Sequence, residues 1–206
     1  ILNQYRTDLL NSDSLLQVID LGEGSKKLDT KQRQISQMAK TSSSSVKNTK
    51  TLYRVAKYFD FKNSLELGTS LGMATFALSI ANPKANITTI EGCANTSTFA
   101  KSKLDNLDVK NVNFEVDNFT NAIPNLTDKN YDFIFFDGHH NKEATIQYFE
   151  ALLPKIHNDT VFVFDDIYWS KGMTEAWEYI KSHESVKVTV DCFYLDCNIL
   201  TTLTSY

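Results

Sequence analysis

The sequence predicts an α/β protein whose mostly parallel sheet is covered by helices on both faces. Apolar runs of strand length alternate with helical periods from Asn63 onward, and such alternation is typical of parallel sheets. The chain has 206 residues, of which 42% are hydrophobic and 22% charged, so one domain with a buried core is expected. Its longest apolar runs, such as FIFF and VFVF, are far shorter than the roughly 20 residues of a membrane span.

The strands are predicted from short apolar runs bounded by turn residues. SLELG and NITTIEG are rich in aliphatic and β-branched residues, whereas YDFIFFDG and TVFVFDD are apolar almost throughout and end in carboxylates. Runs of this kind are typical of strands buried on both faces. The predicted strands are residues 64–68, 86–92, 112–116, 131–138, 160–166, 186–195 and 198–203.

The helices between these strands are predicted from apolar residues that recur with a helical period. NTSTFAKSKLDNL is amphipathic, and KEATIQYFEALLPKI has Pro154 near its end, where a proline does not break the helix interior. The predicted helices are residues 71–81, 95–107, 142–156 and 172–183.

The segment before the sheet differs in charge from the rest of the chain. Between Gly22 and Tyr58 there are nine Lys or Arg residues against Glu23 and Asp29, although the whole chain has a net charge of −4. The segment is interpreted either as a solvated face of helices or as a mouth that attracts an anionic ligand. We expect residues 1–60 to form a helical cap, with a short joint at 41–44, and residues 61–206 to form the core of one structural domain.

Composition limits the cellular compartments and the kinds of partner to be expected. Three cysteines without metal-ligand spacing favour reduced thiols in a cytosol-like compartment. The first residues lack a basic head followed by an apolar block, so no signal peptide is expected and a cytoplasmic location is predicted. An isoelectric point near 5.6 gives no case for nucleic acid as a partner.

A ligand site is expected where the strands end, because ligands of open α/β sheets bind outside the carboxyl ends of the strands. The first strand is followed by ELGTSLG, whose glycines permit a tight turn and whose helix start offers free N–H groups. The glycine spacing differs from the G-x-G-x-x-G of dinucleotide binders. The candidate cofactor residues in this loop are Glu66, Gly68, Thr69, Ser70 and Gly72.

The next two strands add candidates for a nucleoside. Glu91, followed by Gly92, ends the second strand, where an acid can accept both hydroxyls of a ribose. Asn118 and Phe119 follow the third strand and would suit the edge and face of an adenine, although Asn is also common in turns.

Strands four and five deliver three carboxylates to the same edge. Asp137 follows one strand, and Asp165 and Asp166 end the other. Buried like charges repel unless a cation or a proton compensates them, and carboxylate oxygens suit Mg²⁺, Mn²⁺ or Ca²⁺. The alternative interpretation is that Asp137 and Asp165 cap the turns or helices that follow. His139 and His140 add groups that titrate near neutral pH.

These motifs resemble class I S-adenosylmethionine-dependent methyltransferases over residues 64–191. LELGTSLG matches their first motif, TTIEG their acidic second motif, and YDFIFFDGHH their fourth strand with its trailing Asp. Within that superfamily, the order FFDGHH … VFVFDD is similar to cation-dependent O-methyltransferases of the catechol type. The resemblance implies a Rossmann-like, doubly wound, seven-stranded sheet of order 3-2-1-4-5-7-6 under a variable helical cap that shapes the acceptor pocket.

The resemblance also implies roles for individual residues. Gly68 and Gly72 would line the methionine end of the cofactor, Glu91 would hold its ribose, and Asn118 would lie near adenine. Asp137, which would also lie against the cofactor, Asp165 and Asp166 would hold the divalent cation. The family places a catalytic lysine three residues after its first metal-binding Asp. Here that position is His140, which is the predicted base, with His139 as the second choice.

The predicted function is methyl transfer from S-adenosyl-L-methionine to a hydroxyl oxygen of a small molecule, assisted by Mg²⁺, Mn²⁺ or Ca²⁺. Two alternatives remain: a metal-independent N- or O-methyltransferase, and a non-catalytic S-adenosylmethionine-binding protein. A nicotinamide oxidoreductase is disfavoured by the glycine spacing. Tyr168 and Trp169 are candidates for the acceptor pocket, and the basic segment could instead serve contacts in a homodimer.

Overall fold

The computed structural model describes residues 1–19, 30–41, 43, 45–127, 130–192 and 197–202. Its helices are α1 Leu2–Leu10, α2 Ile35–Thr41, α3 Val46–Phe59, α4 Met73–Ala81, α5 Ala94–Asp105, α6 Phe119–Asn125, α7 Lys142–Leu152 and α8 Lys171–Lys181. Its strands are β1 Leu15–Ile19, β2 Thr30–Gln34, β3 Asn63–Leu67, β4 Asn86–Glu91, β5 Val112–Val116, β6 Tyr131–Phe136, β7 Ile156–Asp165, β8 Val186–Cys192 and β9 Cys197–Thr202.

A seven-stranded sheet forms the centre of the molecule, in the order β5-β4-β3-β6-β7-β9-β8. The five strands from β5 to β7 are parallel, and β9 pairs antiparallel with both β7 and β8. Numbered from the first strand of this sheet, the order is the 3-2-1-4-5-7-6 that the resemblance implies. The prediction of a Rossmann-like α/β fold is confirmed. From β3 the chain proceeds to β4 and β5 on one side, and from β6 it proceeds to β7 on the other. This reversal leaves a crevice between the carboxyl ends of β3 and β6, where ligands of such sheets bind.

Both faces of the sheet are buried, as the apolar strands predict. Along β6, Ile134 and Phe136 pack in one core cluster with Trp177 of α8. Phe133 and Phe135 point the other way and pack with Leu52 of α3 in a second cluster. Because side chains alternate along a strand, β6 and β7 each supply both clusters at once. The strands that end at the predicted site are therefore fixed by a core cluster on each face of the sheet.

The N-terminal segment contains a β-hairpin in addition to helices, which corrects the prediction of a purely helical cap. β1 and β2 pair antiparallel, with Leu16 opposite Arg33 and Val18 opposite Lys31. Leu16 and Val18 are half-buried against a third core cluster, while Leu15 and Gln17 are exposed. This alternation has the period of a strand. Residues 20–29, which include the first part of the predicted basic stretch, and Ser42 and Ser44 of the predicted joint lie outside the described residues.

Two further boundaries differ from the sequence prediction. α6 lies in a stretch for which no helix is predicted, and the Asn118 side chain caps it by accepting the Asn121 N–H at 2.9 Å. β7 begins at Ile156 rather than at residue 160, and the predicted helix before it ends in a short 3-10 turn, Leu153–Lys155. No helix within the described ranges has the length and apolar character needed to cross a membrane.

The opposite edge of the sheet is tied together by one carboxylate. Asp132 Oδ2 accepts the N–H groups of Lys62 and Asn63, both at 2.7 Å, and Oδ1 lies 2.9 Å from His157 Nε2. Burial alone would raise the pKa of Asp132, but these hydrogen bonds outweigh it and hold that pKa below its usual value. Asp132 thereby fixes the start of β3 against β6 and β7.

We expect Asp132→Ala to lower the free energy of unfolding by about 1–2 kcal/mol at pH 7, because two N–H groups lose a charged acceptor. A carboxyl whose folded pKa is depressed stabilises the fold above its unfolded pKa, and this contribution is lost as the pH falls through the folded pKa. Urea unfolding at pH 7 and in acid should therefore show a deficit that shrinks on acidification. Asp159→Ala, at an exposed position of β7, is the control, and an equal deficit for both variants would contradict the role of Asp132.

Candidate active site

The glycines of the first loop are required by the packing of the surrounding protein. Gly68 has φ +105°, and a Cβ on it would stand 2.0 Å from the carbonyl oxygen of Asp137. Gly72 has φ +79°, and its Cβ would lie 2.8 Å from the Tyr5 hydroxyl and 3.2 Å from Ala100. Both positions permit the left-handed turn that only glycine adopts easily. Their role at the methionine end of the cofactor stays a prediction. In that role, the backbone of the loop would contact the cofactor.

A buried hydrogen-bond network lies beneath this loop. Glu66 Oε2 accepts the hydroxyls of Thr75 at 2.5 Å and Thr89 at 2.6 Å, and Thr89 is 2.6 Å from the Thr69 hydroxyl. Burial raises the pKa of Glu66 to about 8, and the nearby charges of Asp137 and Glu91 add to the shift. Glu66 therefore carries a proton at neutral pH. Its Oε1 is buried and has no hydrogen-bond partner among the described residues.

Glu91 ties the ends of β3 and β4 together at the wall of a cavity of about 250 Å³. Its Oε2 accepts the Ser70 N–H at 2.9 Å and its Oε1 accepts the Cys93 N–H at 3.0 Å. Burial raises the pKa of Glu91, although the backbone N–H groups of Cys93, Ser70 and Gly92 oppose the shift. The carboxylate thus stands fixed on the cavity wall, with lone pairs left for a ligand.

The adenine candidates line the same cavity. Asn118 caps α6 with its side chain, and Phe119 lies beside it on the wall with Asp117. The Phe119 ring packs against Gly138, where an added Cβ would approach it to 2.9 Å. The cavity therefore joins the ends of β3, β4, β5 and β6. Predicted residues on its wall are Ser70, Glu91, Gly92, Asn118, Phe119 and His139.

The two histidines face different groups. His139 lines the cavity, and its Nδ1 lies 2.9 Å from the Tyr148 hydroxyl. His140 turns to the acids: its Nε2 lies 3.8 Å from both Asp137 Oδ1 and Asp166 Oδ2. The structure thus separates a histidine on the ligand wall from a histidine between two carboxylates.

Asp165 stands apart from this pair. Its side chain is buried at the end of β7, and its Oδ1 accepts the Asp166 N–H at 3.1 Å. Asp165 therefore fixes the backbone turn that presents Asp166. In the described ranges, no three His, Cys, Asp or Glu side chains stand together as a ready metal cluster.

Three of the six described residues other than glycine that have a positive φ lie at this edge. Ser70, His139 and Asp166 have φ values of 47°, 66° and 55°, and each follows a different one of the adjacent strands β3, β6 and β7. Residues other than glycine are uncommon in this region, and such residues concentrate at functional sites. The three positions mark the same edge that the carboxylates and histidines indicate.

The hairpin and α2 supply a wall of the cavity that sequence reasoning missed. Val18, Ile19, Arg33 and Met38 line it, and the Ile19 N–H donates to Cys93 Sγ at 3.3 Å. The alternation of LLQVI was the available signal, but five residues did not identify a strand. Tyr168 and Trp169 do not line this cavity. Tyr168 donates its hydroxyl to Asp191, and Trp169 is 74% exposed.

Comparison with known proteins shows to which family this chain belongs. Residues 65–167 match the sequence profile of the methyltransferase domain family, from β3 to just beyond Asp166. This chain belongs to the methyltransferase domain family. The match spans the glycine loop, Glu91, both histidines and all three acids, so the candidate site lies inside a methyltransferase domain.

Solved structures show the same fold. The O-methyltransferase TomG from Streptomyces achromogenes, involved in tomaymycin synthesis and solved with S-adenosylmethionine, superposes with a TM-score of 0.70 at 22% identity, over 80% of this chain and 82% of that one. An O-methyltransferase from Bacillus cereus solved with S-adenosylhomocysteine gives 0.69 at 20% identity, over 80% and 84%. The S-adenosylhomocysteine-bound methyltransferase PaMTH1 of Podospora anserina gives 0.70 at 16% identity, over 81% and 82%. A search of curated proteins found no relative by sequence.

Glu91→Ala is expected to weaken the binding of S-adenosylhomocysteine by about 1.5–3 kcal/mol, the range for hydrogen bonds to a charged group. Because burial raises the pKa of Glu91, we expect affinity to decline on acidification at a higher pH than for an ordinary glutamate. Calorimetric titration measures both effects. Glu115→Ala, at an exposed position of neighbouring β5, is the control, and unchanged affinity in folded Glu91→Ala would remove Glu91 from the site.

Proposed function

We propose that this methyltransferase moves the methyl group of S-adenosylmethionine to a hydroxyl oxygen of a small molecule, assisted by a divalent cation. The observation that carries the proposal is the convergence of Asp137 and Asp166 on His140, with Nε2 at 3.8 Å from each. Gly138 and His139, next to these residues in sequence, line the cavity. A proton acceptor and two carboxylates therefore adjoin the space proposed for the methyl donor.

The cavity residues orient the cofactor in this proposal. Glu91 accepts the ribose hydroxyls, while Asn118 and Phe119 contact the adenine edge and face. Ser70 and Gly138, which line the cavity at the ends of β3 and β6, would hold the methionine part. The orphaned Oε1 of Glu66 below the loop is a polar atom that a bound ligand or water would satisfy. Alignment of the methyl carbon with the acceptor oxygen is the main contribution of such a site.

The carboxylates beside His140 are ligands of the kind that a hard cation binds. Asp137 Oδ1 and Asp166 Oδ2 are carboxylate oxygens that approach the same imidazole nitrogen, and oxygen ligands are those that Mg²⁺ and Ca²⁺ prefer. Asp137 and Asp166 would hold the ion, with Asp165 as a third carboxylate or as the support of Asp166. When bound, the cation would lower the pKa of the acceptor hydroxyl.

His140 accepts the proton in this mechanism. The acceptor oxygen attacks the methyl carbon, the new C–O bond forms as the C–S bond breaks, and the sulfur keeps the electron pair. The hydroxyl proton passes to His140 Nε2, where Asp137 and Asp166 stabilise the imidazolium that results. The exposed turn at Tyr168 and Trp169 is the proposed boundary of the acceptor, with residues 1–60 as its cap.

A cation-independent methyltransferase is the second candidate, and one observation favours it. His140 already lies between the two acids, so a protonated imidazole would compensate both carboxylates without a metal ion. In that case Asp137, His140 and Asp166 would act together on the acceptor proton.

The two candidates differ in their response to a chelator. We expect S-adenosylhomocysteine formation from a catechol probe such as 3,4-dihydroxybenzoate to stop in excess EDTA and to return with Mg²⁺ or Mn²⁺. Calorimetric titration of Mn²⁺ into Asp166→Asn should show weakened metal binding, with binding of S-adenosylhomocysteine retained. Asp117→Asn, which changes a cavity carboxylate that follows β5 rather than β6 or β7, is the control for metal binding. Full turnover in EDTA would exclude the cation and support the second candidate.

A further inference from the structure

The outer edge of β8 is open in the described part of the chain. β8 ends the seven-stranded sheet, and β9 is the one described strand that pairs with it. Residues 187–190 are all exposed, and Val188 and Val190 keep 50% and 49% of their surface exposed. An open strand edge offers backbone N–H and C=O groups to another strand, and contact with a partner would bury the valines. This edge is therefore a candidate docking surface.

The charge of Lys187 limits what can dock there. A lysine and a β-bulge usually discourage pairing at a sheet edge, and β8 has both. Its register with β9 shifts between Val186 and Val188, which leaves Lys187 without a partner in β9. The Lys187 Nζ contacts the carbonyl oxygen of Glu184 at 3.3 Å, and no carboxylate of the described residues forms an ion pair with it. A strand that docks on β8 must therefore supply a negative charge opposite Lys187.

A second copy of β8 supplies that charge. Asp191 lies four residues after Lys187, on the same strand. Its carboxylate accepts the Tyr168 hydroxyl and has no cationic partner among the residues that the structure describes. If two β8 strands pair antiparallel about a twofold axis at Thr189, Lys187 of each copy stands opposite Asp191 of the other. The same register pairs Val188 with Val190 and Thr189 with its own copy. Opposite charges, β-branched pairs and Thr–Thr pairs all stabilise antiparallel strands.

Neighbouring registers lack this match. An axis at Lys187 would bring two ammonium groups together, and an axis at Asp191 would bring two carboxylates together. Axes at Val188 or Val190 would place Thr189 opposite Lys187 or Asp191, so that neither charge is compensated. An axis between two residues would set the valine side of one strand against the Thr189 side of the other, because a shift by one residue exchanges the faces. The axis at Thr189 is therefore the favoured register.

We propose that β8 pairs with β8 of a second copy of this chain, so that the protein is a homodimer with one continuous sheet. A second copy is the occupant because a single strand supplies both members of every favourable pair. The dimer itself does not depend on the proposed function. Its consequence for the acceptor does: Lys187 of the partner subunit would lie beside Asp191, which holds Tyr168, so the second copy would stabilise the proposed boundary of the acceptor.

Charge reversal and its rescue test the register. We expect wild-type protein to sediment as a dimer in analytical ultracentrifugation. Lys187→Glu should raise the dissociation constant of the dimer about 10- to 100-fold, because two attractive pairs become repulsive. The double variant Lys187→Glu with Asp191→Lys should restore the dimer, because opposite charges face each other again. Lys110→Glu is the control, since it makes the same change of charge at an exposed lysine outside β8 and should leave the dimer unchanged.

A cysteine at the proposed axis tests the pairing without a change of charge. Opposite Cα atoms of antiparallel strands lie about 4.5–5.5 Å apart, which is within the range that a disulfide spans. Thr189→Cys should therefore form a disulfide-linked dimer under mild oxidation, well above the level of wild type. Glu115→Cys is the control, because Glu115 is an exposed residue of β5, the strand at the other edge of the sheet.

Four results would overturn the proposal. Wild-type protein that stays monomeric at every concentration would leave β8 an unpaired edge. A dimer that Lys187→Glu leaves intact, or a double variant as weak as the single one, would place the interface elsewhere. Equal cross-linking of Thr189→Cys and Glu115→Cys would indicate random collision. A protein that dimerises as expected but binds no S-adenosylhomocysteine would count against the proposed function alone.

Discussion

His140→Ala is expected to lower turnover by about 10²–10⁴-fold, the usual range for loss of a general base, while the affinity for S-adenosylhomocysteine stays the same. The imidazole Nε2 lies 3.8 Å from both Asp137 Oδ1 and Asp166 Oδ2. Both carboxylates would therefore stabilise the imidazolium that forms when His140 accepts a proton. Its Nδ1 is buried without a hydrogen-bond partner in the described part of the chain, so Nε2 is the nitrogen that can exchange a proton with a ligand.

Single-turnover measurements with saturating cofactor would separate this effect from binding. His183→Ala is the matched control, because His183 lies at the far end of α8, 3.5 Å from Glu150, and should not affect methyl transfer. Turnover retained in His140→Ala would move the base elsewhere, first to His139. His139 contacts Tyr148 and the cavity, so its own alanine variant should alter cofactor affinity as well.

Gly68→Ala should be the most destabilising single substitution in the loop, with a loss of at least about 3 kcal/mol in the free energy of unfolding. Its φ of +105° is strained for any residue with a Cβ, and that Cβ would stand 2.0 Å from the Asp137 carbonyl oxygen. The neighbour is backbone in the β3–β6 pairing, where the Asp137 N–H donates to the Leu67 carbonyl at 2.9 Å. It cannot move aside as a flexible side chain could.

Chemical unfolding with and without S-adenosylhomocysteine would measure this loss. Gly172→Ala is the control, since its Cβ would make ordinary contact with Lys142 at 3.4 Å in the first turn of α8, where alanine favours the helix. We expect that variant to equal or slightly exceed wild type. If Gly68→Ala were as stable as wild type and lost only ligand affinity, the glycine would serve the ligand rather than the fold.

The sheet and its edge residues could be predicted because they depend on local signals. YDFIFFDG and TVFVFDD are too apolar to be anything but buried strands, and their trailing acids then share an edge whatever the details of packing. Ser70, Glu91, Asn118 and His139 indeed lie around one cavity. The approach of His140 to Asp137 follows from a separation of three residues after a strand, although its approach to Asp166 depends on the pairing of β6 with β7.

The hairpin and the function of the glycines could not be predicted, because both depend on contacts between distant parts of the chain. The face of LLQVI that is buried becomes clear only when α5 and the β3 loop cover it. Gly68 is predicted to line the methionine end of the cofactor, and that role stays a prediction. The contact that requires a glycine at this position is with the Asp137 carbonyl oxygen. Sequence spacing identifies a required glycine without showing which neighbour requires it.

The pairing of β6 with β3 requires a long loop to close during folding. Ser64 pairs with Phe133 and Leu67 with Phe136, so β4, α5, β5 and α6 lie between the partners in the chain. Closing so long a loop is slow compared with pairing β3 to β4. Gly138, His139 and His140 follow β6 directly and cannot meet the glycine loop until that closure occurs. During refolding, the cofactor pocket is therefore expected among the last features to appear, after most of the secondary structure.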